Sequence, residues 1–295
     1  MLPALLFLGT IVTTLLAGYI FHLHFVGQGA VWARVTGIFS HPLDLLYGLP
    51  FAFTILVILL AHELGHYLTC RYYGIDATLP YLIPAPPPFP FGTFGAVIKI
   101  RSQFSNRRQL FDVGVAGPIG GFIFIIPALI VGLQLSKPFI FTESAPGTYE
   151  LGEPLIFSLA AMLFFPGEAG ASISLHPIGL AAWFGMLATS INLLPIGQLD
   201  GGHMVYGLFG ARAHRIISLV SFTALVGISL YSWPNLGYLV FTLVLLFIGF
   251  RHPRPSTEFG RVGRGRQLAA LFGLIIFILT FMPIPVRVIQ HVGRL

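Results

Sequence analysis

Charged side chains are scarce in this chain: 9% of its 295 residues are Asp, Glu, Lys or Arg, whereas 56% are hydrophobic. A soluble domain carries roughly 25% charged residues, because its surface must face water. Together with a mean hydropathy of +0.87, this scarcity excludes a water-soluble enzyme and indicates a multi-span membrane protein. The same apolar content excludes an intrinsically disordered chain.

Cysteine is nearly absent as well. Cys70 is the one cysteine in the sequence, which excludes an internal disulfide and a cysteine-based zinc cluster. The net charge of +6 would suit a nucleic-acid partner only if the basic residues formed one face of a soluble module. They lie instead in short loops between apolar stretches, so the predicted partner is the lipid bilayer and not a nucleic acid.

Long apolar runs are abundant. Seven of them are long enough to cross about 30 Å of hydrocarbon as helices, which predicts an all-α polytopic membrane protein. They lie near 3–23, 50–70, 112–135, 174–195, 214–231, 234–250 and 267–284. The first run lacks a basic n-region and a clear cleavage site, so we interpret it as a retained span rather than a signal peptide.

The distribution of basic residues predicts an orientation. Loops 71–111, 196–213 and 251–266, with Arg215 at a helix end, contain 12 of the 16 Lys and Arg residues. Cytoplasmic loops carry the excess of Lys and Arg. This side is therefore predicted to be cytoplasmic, with the N-terminus on the same side and the C-terminus outside.

A metal-binding pattern, His-Glu-x-x-His, lies at the cytoplasmic end of the second predicted span. Positions i and i+4 of a helix share a face, so His62 and His66 can bind one metal ion. Glu63 can then act as a general base on an attacking water. The alternative is a pair of packing histidines with a glutamate that extends to the membrane interface. However, ionisable groups inside an apolar span are functional by default.

A third ligand is needed, because catalytic zinc usually has three protein ligands and one open position. Of the nine acidic residues besides Glu63, Asp200 is the best candidate, because the other eight fall on the opposite side or in or beside basic loops. The Pro and Gly residues before it allow the helix to unwind, and irregular backbone at membrane depth lines a cavity. The alternative is that Asp200 caps a helix. Cys70, one turn past His66, suits the third position less well than a carboxylate does.

These two elements together resemble the site-2 protease family of intramembrane zinc metalloproteases. His-Glu-x-x-His in an apolar span is followed in a later span by Asn-x-x-Pro-x-x-x-x-Asp-Gly, which begins at Asn192. The resemblance implies that His62, His66 and Asp200 bind Zn²⁺ and that Glu63 is the catalytic base. It also implies that Asn192 steadies the substrate or the oxyanion.

Further segments carry the same resemblance. Residues 92–100 resemble the family's membrane re-entrant β-element, expected near 92–101, and its strand edge could pair with an extended substrate. Ala116–Gly121 resembles the small-residue start of the third core helix. The predicted organisation is a first span with an outer loop (1–48), a metalloprotease core (49–215) that includes the re-entrant element (79–101), and C-terminal spans (216–295).

The 136–173 interval is too short for the PDZ domain of many family members, so the sequence looks similar to the PDZ-less branch. The absence of a long Ser-rich, Arg-rich transit region favours a bacterial inner membrane over a chloroplast.

The expected reaction is hydrolysis of peptide bonds in a single-span or hairpin membrane protein. The alternatives are a catalytically silent relative and a metal-handling protein. His203, which follows the Asp-Gly-Gly turn, could bond a ligand or the substrate carbonyl and is not assigned to the catalytic set.

Overall fold

The structure, a computed structural model, describes residues 2–27, 31–87, 89–139, 149–166, 172–233, 237–248, 252–257 and 263–288. Within these ranges the chain is mostly helical. The helices are α1 (Leu2–Phe25), α2 (Val31–Gly37), α3 (Leu49–Tyr72), α4 (Arg107–Leu135), α5 (Leu155–Phe164), α6 (Pro177–Asn192), α7 (Asp200–Phe209), α8 (Ala211–Tyr231), α9 (Gly237–Ile248) and α10 (Arg264–Thr280). A 3₁₀ helix (Pro42–Gly48) leads directly into α3. The strands form antiparallel pairs: β1 (Tyr81–Pro84) with β2 (Thr93–Val97), β3 (Lys137–Phe139) with β5 (Ser172–Ser174), and β4 (Tyr149–Leu151) with β6 (Val286–Val288).

Four helical stretches of the described chain are long and apolar enough to cross a membrane: Leu2–Phe25, Pro42–Tyr72, Arg107–Leu135 and Ala211–Tyr231. They match the first, second, third and fifth predicted spans. The other three predicted spans overlap α6, α9 and α10, whose lengths are 16, 12 and 17 residues. A largely helical chain with four candidate membrane-spanning stretches is therefore confirmed, and the count of seven spans stays a prediction. Residues 251 and 258–262 of the third basic loop lie outside the described residues.

Helix α3 carries the His-Glu-x-x-His motif, and local sequence fixes both of its ends. Pro50 stands in the first turn, where its missing N–H costs no helical hydrogen bond. At the other end, the Ile75 N–H donates to the Cys70 carbonyl (2.9 Å) and the Gly74 N–H to the Arg71 carbonyl (3.1 Å), which is a Schellman motif. Gly74 has a φ of +67°, a left-handed conformation that glycine adopts without strain. The motif therefore lies in the second half of a helix with a defined end.

The first of two compact units contains α3. It comprises Met1–Arg101, Gly120–Phe139 and Ala160–Met186. Within it, α1 crosses the 3₁₀ helix at glycines: a Cβ on Gly48 would overlap the Leu15 carbonyl, and a Cβ on Gly18 would overlap the Gly48 carbonyl. Phe51 of α3 packs edge-to-face against Phe21 of α1, with ring centroids 4.9 Å apart. These contacts fix the N-terminal half of α3 against α1.

The hairpin of β1 and β2 also belongs to the first unit. Tyr81 lies opposite Val97, and the Thr93 hydroxyl donates to the Ile83 carbonyl at 2.8 Å. A strand is therefore present within the predicted β-element of 92–101. Its re-entrant position in a membrane stays a prediction.

The second unit comprises Ser102–Ile119, Ile140–Leu159 and Leu187–Leu295. Its apolar core includes Leu194, Ile196, Leu225, Tyr238 and Leu245. A bidentate ion pair joins α10 to the first part of α4: the Arg266 guanidinium donates to both Asp112 carboxylate oxygens, at 2.8 and 2.6 Å. Fork-to-fork pairs of this kind fix both position and orientation. The functional division at 48/49 and 215/216 stays a prediction.

Candidate metal centre

Two imidazoles and one carboxylate meet on one face of α3. The Nε2 atoms of His62 and His66 are 3.2 Å apart. One potential ligand atom from each of His62, Glu63 and His66 lies within 4.8 Å of the other two. These residues are buried, with exposed fractions of 6%, 9% and 7%. The structure therefore brings together the three residues of the motif in a site shielded from solvent.

The spacing of the two imidazole nitrogens fits a zinc ion. A Zn–N bond of 2.0–2.1 Å and a tetrahedral angle place two ligand nitrogens about 3.3 Å apart. The 3.2 Å between the Nε2 atoms of His62 and His66 agrees with this value. Glu63 follows His62 directly, so its carboxylate is placed either to bind the same metal or to accept a proton from water beside it.

Two glycines of α4, both in the first unit, allow that helix to approach the motif closely. A Cβ on Gly120 would lie 2.6 Å from the Ala61 carbonyl oxygen. A Cβ on Gly121 would lie 3.3 Å from the Cβ of His62 and 3.4 Å from its Nδ1. The close packing predicted for Ala116–Gly121 is confirmed at these two positions. The backbone of α4 thus packs directly beside His62.

Replacing Gly120 with alanine is expected to destabilise the protein by about 1–3 kcal/mol, because the added methyl group overpacks a helix contact. The zinc content is expected to fall as well, because α3 must shift where it carries His62. Gly227→Ala in α8 is the matched control, since no heavy atom lies within 4 Å of its added Cβ. That change removes a helical glycine and should leave the unfolding temperature equal or higher. Thermal unfolding in detergent and zinc per chain measure both effects. Equal behaviour of the two variants would contradict this account of the packing.

Asn192 and Asp200 stand at the two ends of one loop. Asn192 is the last residue of α6 and Asp200 the first residue of α7. Both belong to the second unit, whereas the His-Glu-x-x-His motif belongs to the first. Their roles as oxyanion group and third ligand stay predictions.

The loop turns sharply into α7. Leu199 is the N-cap residue, with extended backbone angles (φ −66°, ψ 164°), so Asp200 is not the cap. A Cβ on Gly201 would overlap the Leu193 carbonyl, and Gly197 adopts a φ of +55°. Both glycines therefore fit the path of the backbone, Gly197 within the irregular segment and Gly201 in the first turn of α7.

His203 lies at the start of a hydrogen-bonded chain in the second unit. The His252 Nδ1–H donates to the Pro253 carbonyl (2.7 Å), since a carbonyl can only accept. Nε2 of His252 must then accept from Nδ1–H of His203, 2.6 Å away. Burial lowers the pKa of His252 to about 4. The hydrogen bond to the Pro253 carbonyl raises this pKa in part, and the nearby His214 lowers it slightly. The neutral ring that this chain requires is therefore the stable form at pH 7. Sequence reasoning missed His252, because nothing in its local sequence points to His203.

The sequence of this chain matches one known protein family. The profile of peptidase family M50 matches residues 50–232, more than half of the chain. This chain belongs to peptidase family M50. The resemblance to the site-2 protease family is thereby confirmed.

The relatives of this M50 chain include chloroplast proteins. It is 32% identical over 267 residues to "Probable zinc metalloprotease EGY1, chloroplastic" of Arabidopsis thaliana, a match covering 85% of the chain and 46% of the relative. The protein of that name in Oryza sativa subsp. japonica is 29% identical over 256 residues, covering 83% and 42%. "Probable zinc metalloprotease EGY2, chloroplastic" of Arabidopsis thaliana is 30% identical over 250 residues, covering 81% and 42%. The chain thus spans less than half the length of these relatives. Because they are chloroplastic, they do not support the predicted bacterial membrane.

Proposed function

We propose that this M50 protein is an intramembrane zinc metalloprotease that hydrolyses peptide bonds of transmembrane substrates. One observation carries the proposal: His62, Glu63 and His66 form a buried group within a stretch, Pro42–Tyr72, that is apolar enough to span a membrane. Placing such groups in hydrocarbon costs several kcal/mol unless they are paired or bind a metal. The zinc metalloprotease names of the relatives support the same activity.

In this proposal, His62, His66 and Asp200 hold the zinc. Three protein ligands with a fourth position left open are typical of catalytic zinc. Bound zinc would polarise the scissile carbonyl and raise the acidity of water. Support for Asp200 comes from its place directly after the irregular segment 193–199, since irregular backbone at membrane depth is tolerated where it lines a cavity.

The remaining steps belong to two side chains. Glu63 takes a proton from the attacking water and delivers it to the leaving amine. The side-chain amide of Asn192 donates to the oxygen that becomes negative as water adds to the carbonyl. A well-placed donor of this type contributes about 3 kcal/mol to the transition state.

The substrate in this proposal is a single-span or hairpin membrane protein. A helix uses its own carbonyls in hydrogen bonds, so the substrate must unwind locally before it can be cut. An extended substrate can add by main-chain hydrogen bonds to the edge of β2 (Thr93–Val97) that faces away from β1, with the hairpin re-entering the membrane. The protein would cross its membrane seven times, with its N-terminus and active site on the cytoplasmic side or its organellar equivalent, where the basic loops place them.

The test is metal content together with cleavage. Protein purified in detergent should carry about one zinc per chain, and after reconstitution it should cleave a transmembrane peptide containing helix-breaking residues. A strong chelator should remove both properties, and zinc should restore them whereas magnesium should not. Stoichiometric zinc without cleavage would favour a silent relative. Zinc uptake into the vesicles without cleavage would favour a metal-handling protein. Protein without metal that still cleaves the peptide would contradict the proposal.

A further inference from the structure

Hydrogen bonds within the loop between Asn192 and Asp200 use only some of the polar backbone atoms of that loop. Within it, the Ile196 N–H donates to the Leu194 carbonyl (2.8 Å), and the Leu199 N–H to the Ile196 carbonyl (3.1 Å). These short turns do not use the Pro195 carbonyl or the two polar backbone atoms of Gly197. Buried backbone groups of this kind need partners from elsewhere in the protein.

Two side chains of α8 supply those partners. The His214 Nε2–H donates to the Gly197 carbonyl at 2.9 Å. The Ser218 hydroxyl donates to the Pro195 carbonyl at 3.0 Å and accepts from the Gly197 N–H at 3.3 Å. His214 is 2% exposed and Ser218 is fully buried. Because the two residues are four apart, they lie on one face of α8 and hold the loop at two adjacent points.

The ring of His214 is itself held in place. It contacts Tyr206 of α7 and His252, with ring centroids 5.5 and 5.2 Å away. His252 is bonded in turn to His203, which lies on the same helix as Asp200. The contacts from α8 therefore reach both the loop before Asp200 and the helix that Asp200 begins.

We propose that His214 and Ser218 are positioning residues that hold the Pro195–Gly197 loop and thereby set the positions of Asn192 and Asp200. The inference rests on the proposed function, in which Asp200 binds zinc and Asn192 donates to the oxyanion. Groups that orient a metal ligand without touching the metal typically change metal affinity or activity by about 10- to 100-fold. His214 and Ser218 act one step further out, through the backbone of the loop.

The experiment measures zinc affinity of the purified full chain by competition with a chromophoric chelator, and the absorption spectrum of the Co²⁺-substituted protein. Because they act one step further out, His214→Leu and Ser218→Ala are expected to weaken zinc binding by about 10-fold, the lower end of this range, and to alter the cobalt bands. His214→Gln keeps an N–H donor near the position of Nε2, so it should restore most of the affinity. Ser229→Ala is the matched control, because Ser229 is a buried serine of α8 whose hydroxyl bonds the Leu225 carbonyl of its own helix and the Thr242 hydroxyl of α9.

The outcomes separate this inference from the proposed function. Affinity and cobalt bands of both His214→Leu and Ser218→Ala equal to those of Ser229→Ala would overturn the positioning role. The positioning role would also be overturned if the loss of zinc affinity in all variants were simply proportional to their loss of unfolding temperature. That result would indicate a general effect on stability. Asp200→Ala is measured in parallel. If Asp200→Ala leaves zinc affinity unchanged, the proposed ligand set is wrong. If Asp200→Ala weakens zinc binding but His214→Leu and Ser218→Ala do not, only the positioning role of His214 and Ser218 is wrong.

Discussion

Glu63→Gln is expected to lower the rate of peptide cleavage by about 10²- to 10⁴-fold, the usual contribution of general acid–base catalysis, and to leave about one zinc bound per chain. Glutamine has nearly the size of glutamate, so the packing of this buried side chain on α3 should be kept. An amide, however, cannot take a proton from water. The measurements are single-turnover cleavage of a transmembrane peptide and zinc content of the same preparation.

Glu153→Gln is the control for this prediction. The Glu153 carboxylate accepts a hydrogen bond from the Ser158 hydroxyl at 3.0 Å in an exposed position, so both readouts should stay at the wild-type level. Wild-type cleavage by Glu63→Gln would place the general base elsewhere. Loss of zinc together with cleavage would identify Glu63 as a ligand, which its distance from the two histidine nitrogens allows.

The geometry of the metal motif could be predicted because all of it is local. His62 and His66 are four residues apart, so any helix through them places both imidazoles on one face. That helix follows from the apolar run predicted as a span near 50–70, and α3 covers Leu49–Tyr72. The strand within 92–101 is expected instead from the resemblance of residues 92–100, a short continuous segment, to the family's β-element. No distant contact has to be known for either result.

The ends of the fourth predicted span depend on context that is only partly local. The prediction began at residue 174, but Ser172–Ser174 forms β5 and pairs with Lys137–Phe139. It ended at residue 195, whereas α6 ends at Asn192. Pro195 disfavours helical angles at the residue before it, which explains the second difference. Strand pairing across more than 30 residues explains the first and leaves no signal in apolar content.

The contacts that hold the second unit could not be predicted from the sequence, because their partners are far apart in the chain. Asp112 and Arg266 are separated by 154 residues, and His203 and His252 by 49. Ser218 illustrates a further difficulty. A serine or threonine in an apolar helix usually bonds the carbonyl four residues earlier, as Thr14 does with Thr10. Only the fold shows that Ser218 bonds a loop instead.

Asp200→Ala is expected to weaken zinc binding by more than about 100-fold, because loss of a ligand should exceed the 10- to 100-fold effect of losing a group that merely orients one. Cleavage should disappear with the metal. Asp200→Asn keeps the size of the side chain but removes its charge, so intermediate zinc affinity is expected. Asp76→Asn is the control, because Asp76 and its partner Arg101 form an exposed ion pair at 3.7 Å, and such pairs contribute little.

This variant and Glu63→Gln together determine the ligand set. If Asp200→Ala loses zinc and Glu63→Gln keeps it, the metal ligands are His62, His66 and Asp200. Glu63 can then act as the base. The reverse result assigns it to His62, Glu63 and His66, the group already assembled on α3. A carboxylate that binds zinc through its oxygens is a poor proton acceptor, so that result would also require another base and would contradict the proposed mechanism. The two variants therefore test both the composition of the metal site and the identity of the base.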